Sequence, residues 1–362
     1  MATQNAAVEI DAILNEPALR ELQALTDQTF MLWDEVRVGF SWRYYYMDHV
    51  LRVRANSLVL CVEEGGDLRA LAYAATLHDI TKRYDGPIKM DANGQRVVSA
   101  DGFWINEPAM PARKNEVTEA YHKLGLYEQV HHESGGKVAA ELLARRGFSP
   151  DFCNTVDHII RGHLRPTNTS YKLGGPDDPY GDPASNSLYD ADTTDANLGH
   201  VAFYRNIQIH GYNAIKKSGR LDLREYATSV ERWVEGKRAF VDSRLSKTGL
   251  EVAEERHAAN AVIAGLLKEE TADEQRFELS RKVGLLGMIE FFLQTNEDPD
   301  MAKELDQLEQ HWIPERRVAA QRAGREGEAL LGRVERFAAE LREECNPPLR
   351  RAANAGARRE SV

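Results

Sequence analysis

The stretch Leu77-His78-Asp79-Ile80 sets an imidazole beside a carboxylate at the end of an apolar run. Asp67, just after Gly65-Gly66, predicts a helix N-cap, and Leu68, Leu71, Ala75 and His78 then recur at helical spacing. The pair therefore falls at the inner end of an apolar helix, where an unpaired charge is costly. A divalent cation is the most direct partner for both groups; a capped or salt-bridged pair is the other reading of two such residues alone. Further donors of the same kind stand on separate predicted helices: His49, His132, His163 and Asp192. Imidazole and carboxylate together suit iron, manganese, cobalt or zinc, whereas an all-oxygen set suits magnesium or calcium. Four such ligands hold one ion, and six allow two ions about 3.5–4 Å apart under a bridging carboxylate.

The elements that must carry these groups are helical. Residues 6 to about 40 read as helix with Pro17 in a first turn. The aromatic run Trp42 to Tyr46 leads to His49 at the start of a helix whose apolar side holds Val50, Val53, Leu58, Cys61 and Val62, stopped by Gly65-Gly66. His131-His132-Glu133-Ser134-Gly135-Gly136 opens another helix, with Val138, Leu142 and Leu143 inward and Gly147 at its end. Ser149-Pro150 starts the next, where Phe152, Val156, Ile159, Ile160 and His163 share a face. His158 lies on a different face, so His163 is the expected ligand there. Asp190, Asp192 and Asp195 open a further helix, where acidic residues also serve as ordinary complements to the helix dipole.

Between the His-Asp pair and His131 the pattern loosens. Asn93-Gly94 between Ile88-Lys89-Met90 and Val97-Val98 predicts a hairpin, and a short helix follows from about Glu116 to Leu124. The insertion 83–130 reads as a lid or pocket wall, carrying Arg83, Lys89, Arg113 and Lys114 beside Phe103 and Trp104 for a phosphate and a flat apolar group. Residues 165–186 read as loop. The helical C-terminal extension, 271–345, has Leu330, Val334, Phe337 and Leu341 as a narrow stripe, and the tail 346–362 reads as disordered.

A chain of 362 residues can bury a large core, and its net charge of −11 argues against a general nucleic-acid binder. Cys61, Cys153 and Cys345 lack CxxC spacing, which excludes a thiolate zinc site and a disulfide framework and suits a reducing cytoplasm. The first residues show no basic region before an apolar run, and no segment is long and apolar enough to span a membrane. A cytoplasmic location is the expectation, with self-association, if any, through the C-terminal helices.

In order along the chain, these pieces resemble the HD-domain superfamily of metal-dependent phosphohydrolases. His49-Val-Leu-Arg52-Val53 resembles the family's first histidine with its following Arg-Val, and His78-Asp79-Ile80-Thr81-Lys82 its signature pair with a trailing lysine. His132-Glu133-Ser-Gly-Gly136 and Ile159-Ile160-Arg-Gly-His163 resemble the two extra histidines of the binuclear subset. Ala191-Asp192 resembles the final ligand, although Thr193-Thr194 replaces the usual Arg-Leu and leaves Asp190 as a competing assignment. Arg244 to His257 resembles the family's closing helix. The similarity spans residues 40–265.

The resemblance implies an all-α HD-type bundle over 41–270, preceded by a helical segment at 1–40. It implies hydrolysis of a phosphate ester of a small metabolite or nucleotide, with two divalent transition-metal ions, iron or manganese ahead of cobalt, zinc or magnesium. Asp79 would bridge the ions. His49, His78, His132, His163 and Asp192 would complete their shell, with Lys82 steadying a phosphate and Arg161, Arg113 and Lys114 as further substrate contacts. A smaller branch of the superfamily uses the same ligands in di-iron oxygenases that cleave carbon–phosphorus or carbon–carbon bonds, and a non-catalytic ligand sensor is the third reading.

Overall fold

The computed structural model describes residues 2–99, 102–127, 129–165, 181–242 and 244–346. Chain order begins with α1 (Ala2–Leu14) and α2 (Pro17–Phe30), then the strands β1 (Arg37–Val38) and β2 (Ser41–Trp42). There follow α3 (Arg43–Glu64), α4 (Leu68–Leu77), a 3-10 turn Lys82–Tyr84, β3 (Asp85–Ile88), β4 (Asn106–Pro108), α5 (Glu116–Lys123), α6 (His131–Arg145), α7 (Pro150–Arg161) and α8 (Pro183–Asn197). The chain is mostly helical, as expected, and among the described residues the sheets are two antiparallel pairs, β1–β2 and β3–β4. It divides into two compact units within α8, one running to Asp192 and the other from Thr193 to Asn346. The sequence reading set its boundaries near 40 and 270.

Helix α4 is the axis of the first unit. Every residue from Ala70 to Leu77 is buried, which an apolar helix tolerates only when neighbours surround it. The neighbours are α1, α2, α3, α6 and α7. Asp67 caps α4 by accepting from the Ala70 N–H at 2.9 Å, as its position predicts. Because the helix is enclosed, its C-terminal residues His78 and Asp79 emerge in the interior, at 0% and 2% exposure.

Three local readings change. The N-terminal helix ends at Phe30, and residues 37–42 form a hairpin instead. Its turn residue Gly39 has φ +55°, and a Cβ there would lie 2.6 Å from the Asp85 carbonyl oxygen, so only glycine fits. Helix α3 begins at Arg43, six residues before His49, which is therefore inside the helix and not at its start. Helix α8 begins at Pro183, with Asp182 accepting from the Ser185 N–H at 2.8 Å. Asp190 and Asp192 are thus two turns in, beyond the reach of the N-terminal dipole.

The insertion has two parts of different character. The Asn93-Gly94 hairpin forms, with Val97 N–H donating to Lys89 O at 2.9 Å and Ile105 N–H donating to Val97 O at 2.9 Å, so a third segment is added to its edge. Helix α5 is a core element. Val117, Ala120 and Tyr121 are fully buried, and Asn115 caps it while donating to Thr29 Oγ1 at 2.9 Å. The lid reading does not extend to α5, because excising this helix would open the core. The expected loop at 165–186 lies largely outside the described residues (166–180), as does nearly all of the tail expected to be disordered (347–362).

In the second unit, α9 (Gly199–Ser218), α10 (Leu223–Lys237), α11 (Lys247–Glu270), α12 (Glu274–Val283), α13 (Leu285–Phe292), α14 (Met301–Gln307), α15 (Ile313–Arg322) and α16 (Gly324–Cys345) build a second core. The stripe Leu330, Val334, Phe337 and Leu341 of α16 is buried against it. Among the described residues, no helix is long and apolar enough to cross a membrane.

Glu304 of α14 is 2% exposed and accepts from Tyr204 Oη at 2.8 Å and from Thr295 Oγ1. Burial pushes its carboxyl up to about 7 from an ordinary 4.5, and repulsion from Asp300 adds to this despite those donors. The folded chain therefore holds a proton that the unfolded chain releases near 4.5. That stability is complete below about pH 4.5 and is lost as pH rises through about 7. At 1.36 kcal/mol per pKa unit the loss is about 3 kcal/mol. Glu304→Gln should therefore gain stability relative to the native protein between pH 5 and pH 8, read from urea midpoints; a difference that does not change with pH refutes the assignment.

Candidate metal centre

Four elements of the first unit bring His49, His78, Asp79, His131 and His163 together in the interior. His78 ends α4, and its Nδ1–H donates to the Ala75 carbonyl at 2.8 Å. His163 follows the α7 C-cap Gly162, and its Nδ1–H donates to the Ile160 carbonyl at 2.5 Å. Spending Nδ1 on a backbone carbonyl fixes the tautomer and leaves each Nε2 as a bare lone pair. Both Nε2 atoms are buried without a hydrogen-bond partner, a costly state for an imidazole unless something binds there.

Asp79 divides its two oxygens between two groups. Oδ2 is 3.6 Å from His49 Nε2 and 3.8 Å from His78 Nε2, while Oδ1 is 3.5 Å from His131 Nε2 and 3.9 Å from His163 Nε2. Within each triad, His49–His78–Asp79 and Asp79–His131–His163, the donor atoms lie within 4.8 Å of one another, as ligands around one ion must. Asp192 extends the first triad, with Oδ1 3.0 Å from His49 Nε2. Asp190 is fully buried but belongs to neither triad; two residues apart on a helix, the side chains point in nearly opposite directions. Of the competing residues, Asp192 lies beside His49 and His163 lies within a triad, while Asp190 and the half-buried His158 are in neither triad.

Burial pushes the His78 and His163 imidazoles down from their usual pKa, so both are neutral at pH 7. Burial works the other way on Asp79 and Asp192. The surrounding imidazoles and Lys82 outweigh it for Asp79, and the His49 hydrogen bond does so first for Asp192, so both stay ionised. Neutral imidazoles around buried carboxylates are the protonation states a metal requires. The residues present therefore fit one or two bound cations.

His131 is the residue that sequence reading missed. It was passed over for His132, yet it is His131 that reaches Asp79 and His163. The reason is helix phase. Thr81 Oγ1 donates to the His131 carbonyl at 3.1 Å and pairs with Ser134 Oγ at 2.8 Å, and a Cβ on Gly135 would sit 3.1 Å from the His78 carbonyl. Residues 131, 134 and 135 therefore face the His78–Thr81 segment. His132 is turned by 100° toward the side where Gly136 meets Asp157. Its ring packs on Phe103 of the hairpin at 4.5 Å, and burial holds its pKa near about 3. The signal was available: Val138 and Leu142, read as inward, lie seven and eleven residues after His131 and so share its face.

The expected substrate contacts scatter. Lys82 Nζ lies 3.1 Å from His131 Nε2, inside the cluster; burial alone would lower its pKa, but Asp79 together with Tyr46, Asp85 and Asp192 raises it. Arg161 is paired with Glu133 at 3.1 Å on the surface. Arg113 donates to the Met31 carbonyl at the end of α2, and buried Arg83 donates to the Glu35 carbonyl at 2.5 Å. Lys114 is exposed on the loop before α5. Of these basic groups, the structure brings only Lys82 to the cluster.

No family model, curated protein or solved structure matches this chain.

Proposed function

We propose that this protein is a metal-dependent phosphohydrolase of the HD type, acting on a small phosphate ester with two transition-metal ions, iron or manganese foremost. The observation that carries the reading is Asp79, one buried carboxylate whose two oxygens each face a separate histidine pair. That is the donor arrangement for two cations sharing a bridge, and it agrees with the ordered motifs of the binuclear HD subset except that His131 replaces His132 and Thr193-Thr194 stands where the usual Arg-Leu would be. His49, His78 and Asp192 would hold one ion, His131 and His163 the other. Ions bound there supply Lewis acidity toward phosphoryl oxygens and lower the pKa of water.

The protein's own groups do the rest. The enclosed C-terminus of α4 excludes bulk water from the pair, which strengthens each electrostatic contact. Lys82 holds a positive charge beside His131 and is the group placed to meet an anionic substrate. The hairpin, through Phe103 over His132, forms a wall beside the cluster and is where substrate selection would reside. The test is a phosphoester assay on metal-defined protein with dissolved oxygen followed in parallel. Phosphate release without oxygen uptake is expected. Oxygen consumption coupled to bond cleavage, with no hydrolysis, would replace this reading by the oxygenase one.

A further inference from the structure

His78, His163 and His131, three of the histidines around Asp79, are not held alike at Nδ1. His78 and His163 each donate Nδ1–H to a carbonyl three residues back in their own chain segment. His131 donates Nδ1–H to a carboxylate, Asp85 Oδ2, at 2.6 Å, and the same oxygen takes the His131 backbone N–H at 3.3 Å. Asp85 comes from a different element, the first residue of β3, forty-six positions earlier.

Its backbone is held from several sides. Gly39 of the β1–β2 turn closes on the Asp85 carbonyl, as its missing Cβ shows. A Cβ on the next residue, Gly86, would meet the Glu107 carbonyl at 2.6 Å, and Asn106 Nδ2 donates to Gly86 O at 2.7 Å. A buried carboxylate fixed in this way leaves His131 one arrangement, with the proton on Nδ1 and the Nε2 lone pair turned toward Asp79 Oδ1. Lys82 Nζ, a donor with no acceptor capacity, sits 3.1 Å from that same Nε2, which is the contact such a tautomer requires.

We infer that Asp85 is the positioning residue for His131: it fixes the imidazole tautomer and sets the cation affinity of the Asp79–His131–His163 group, leaving the His49–His78–Asp79 group unaffected. The inference rests on the metal-centre reading for its second half only. A carboxylate behind a metal-binding imidazole orients it and makes it a stronger donor, and removing such a partner typically costs about 10–100-fold in metal affinity. Asp85 also opens the hairpin segment, so one cation position and the wall beside it share a single structural support.

Two measurements test this. Nitrogen-15 spectra of histidine-labelled, metal-free protein, assigned with His131→Gln, should show His131 as the Nδ1–H tautomer. Asp85→Ala should release it to a mixture or to Nε2–H. Manganese titration of the same proteins should then show one of two sites weakened about 10–100-fold in Asp85→Ala, with the other unchanged. If Asp85→Ala fails to fold, Asp85→Asn, which keeps the shape and an acceptor oxygen, should hold the tautomer while weakening the same single site. An unchanged titration in whichever variant folds, or equal weakening of both sites, overturns the inference. Native protein that binds no manganese would defeat the proposed function and the affinity claim together, while the tautomer result would still decide whether Asp85 positions His131.

Discussion

Under the proposed function, replacing Asp79 by alanine should remove both metal ions at once and lower phosphoester turnover by more than about a thousandfold. Each oxygen of this carboxylate serves a different histidine pair, so no other single substitution touches both groups. What remains in either group is imidazole, with Asp192 beside His49 as the nearest carboxylate. Two cations brought together without the anionic bridge would repel each other across a few ångströms of buried space. The turnover estimate follows from smaller losses elsewhere: removing a single preorganised transition-state contact costs about 10²–10³, and here the whole electrophilic apparatus goes.

The measurements are elemental analysis and the metal-induced rise in melting temperature. The native protein should gain stability with added manganese by mass action, and the variant should not. Asp79→Asn, which keeps the side-chain shape, guards against confusing metal loss with collapse of the bundle. Full metal content in either folded variant would show that Asp79 is not the bridge.

How much of this was legible in the sequence depends on what each feature needs. Helix α4 was legible because a cap and an apolar period are both local, and the cap forms as predicted. The position of His163 followed from the phase of α7 for the same reason. The β1–β2 hairpin was not, because its two-residue strands are shorter than any period and its Gly39 is required by a contact with Asp85, distant in sequence. The status of α5 was hidden likewise: its amphipathic pattern marks a helix, but only packing shows that the helix belongs to the core. Asp85 left no local sign, since an aspartate before Gly86-Pro87 reads as a turn residue. Arg83 and Arg113 looked free to meet a phosphate because a sequence cannot show the carbonyls of residues 31–36 that occupy them.

The adjacent histidines at the start of α6 offer the sharpest separation of effects. His131→Ala should leave the second group with only Asp79 and His163, reduce bound metal from two ions to one and cut turnover by about 10²–10³-fold. His132→Ala should keep both ions. Its ring meets Phe103, not Asp79, and no ligand atom of His132 belongs to either triad. Removing the ring takes away part of the wall beside the cluster, so the expected change is a raised KM with kcat retained to within about tenfold. A modest stability cost accompanies it, since His132 is 2% exposed and its removal leaves space under Phe103. The contrast rests on the 100° between successive helical residues, and the contacts of Thr81, Ser134 and Gly135 fix that phase from the opposite side of the helix interface. Metal lost from His132→Ala and kept in His131→Ala would mean that α6 is rotated by one residue. Asp85 would then be facing the wrong imidazole, and the ligand set would return to the one that the motif order alone suggested.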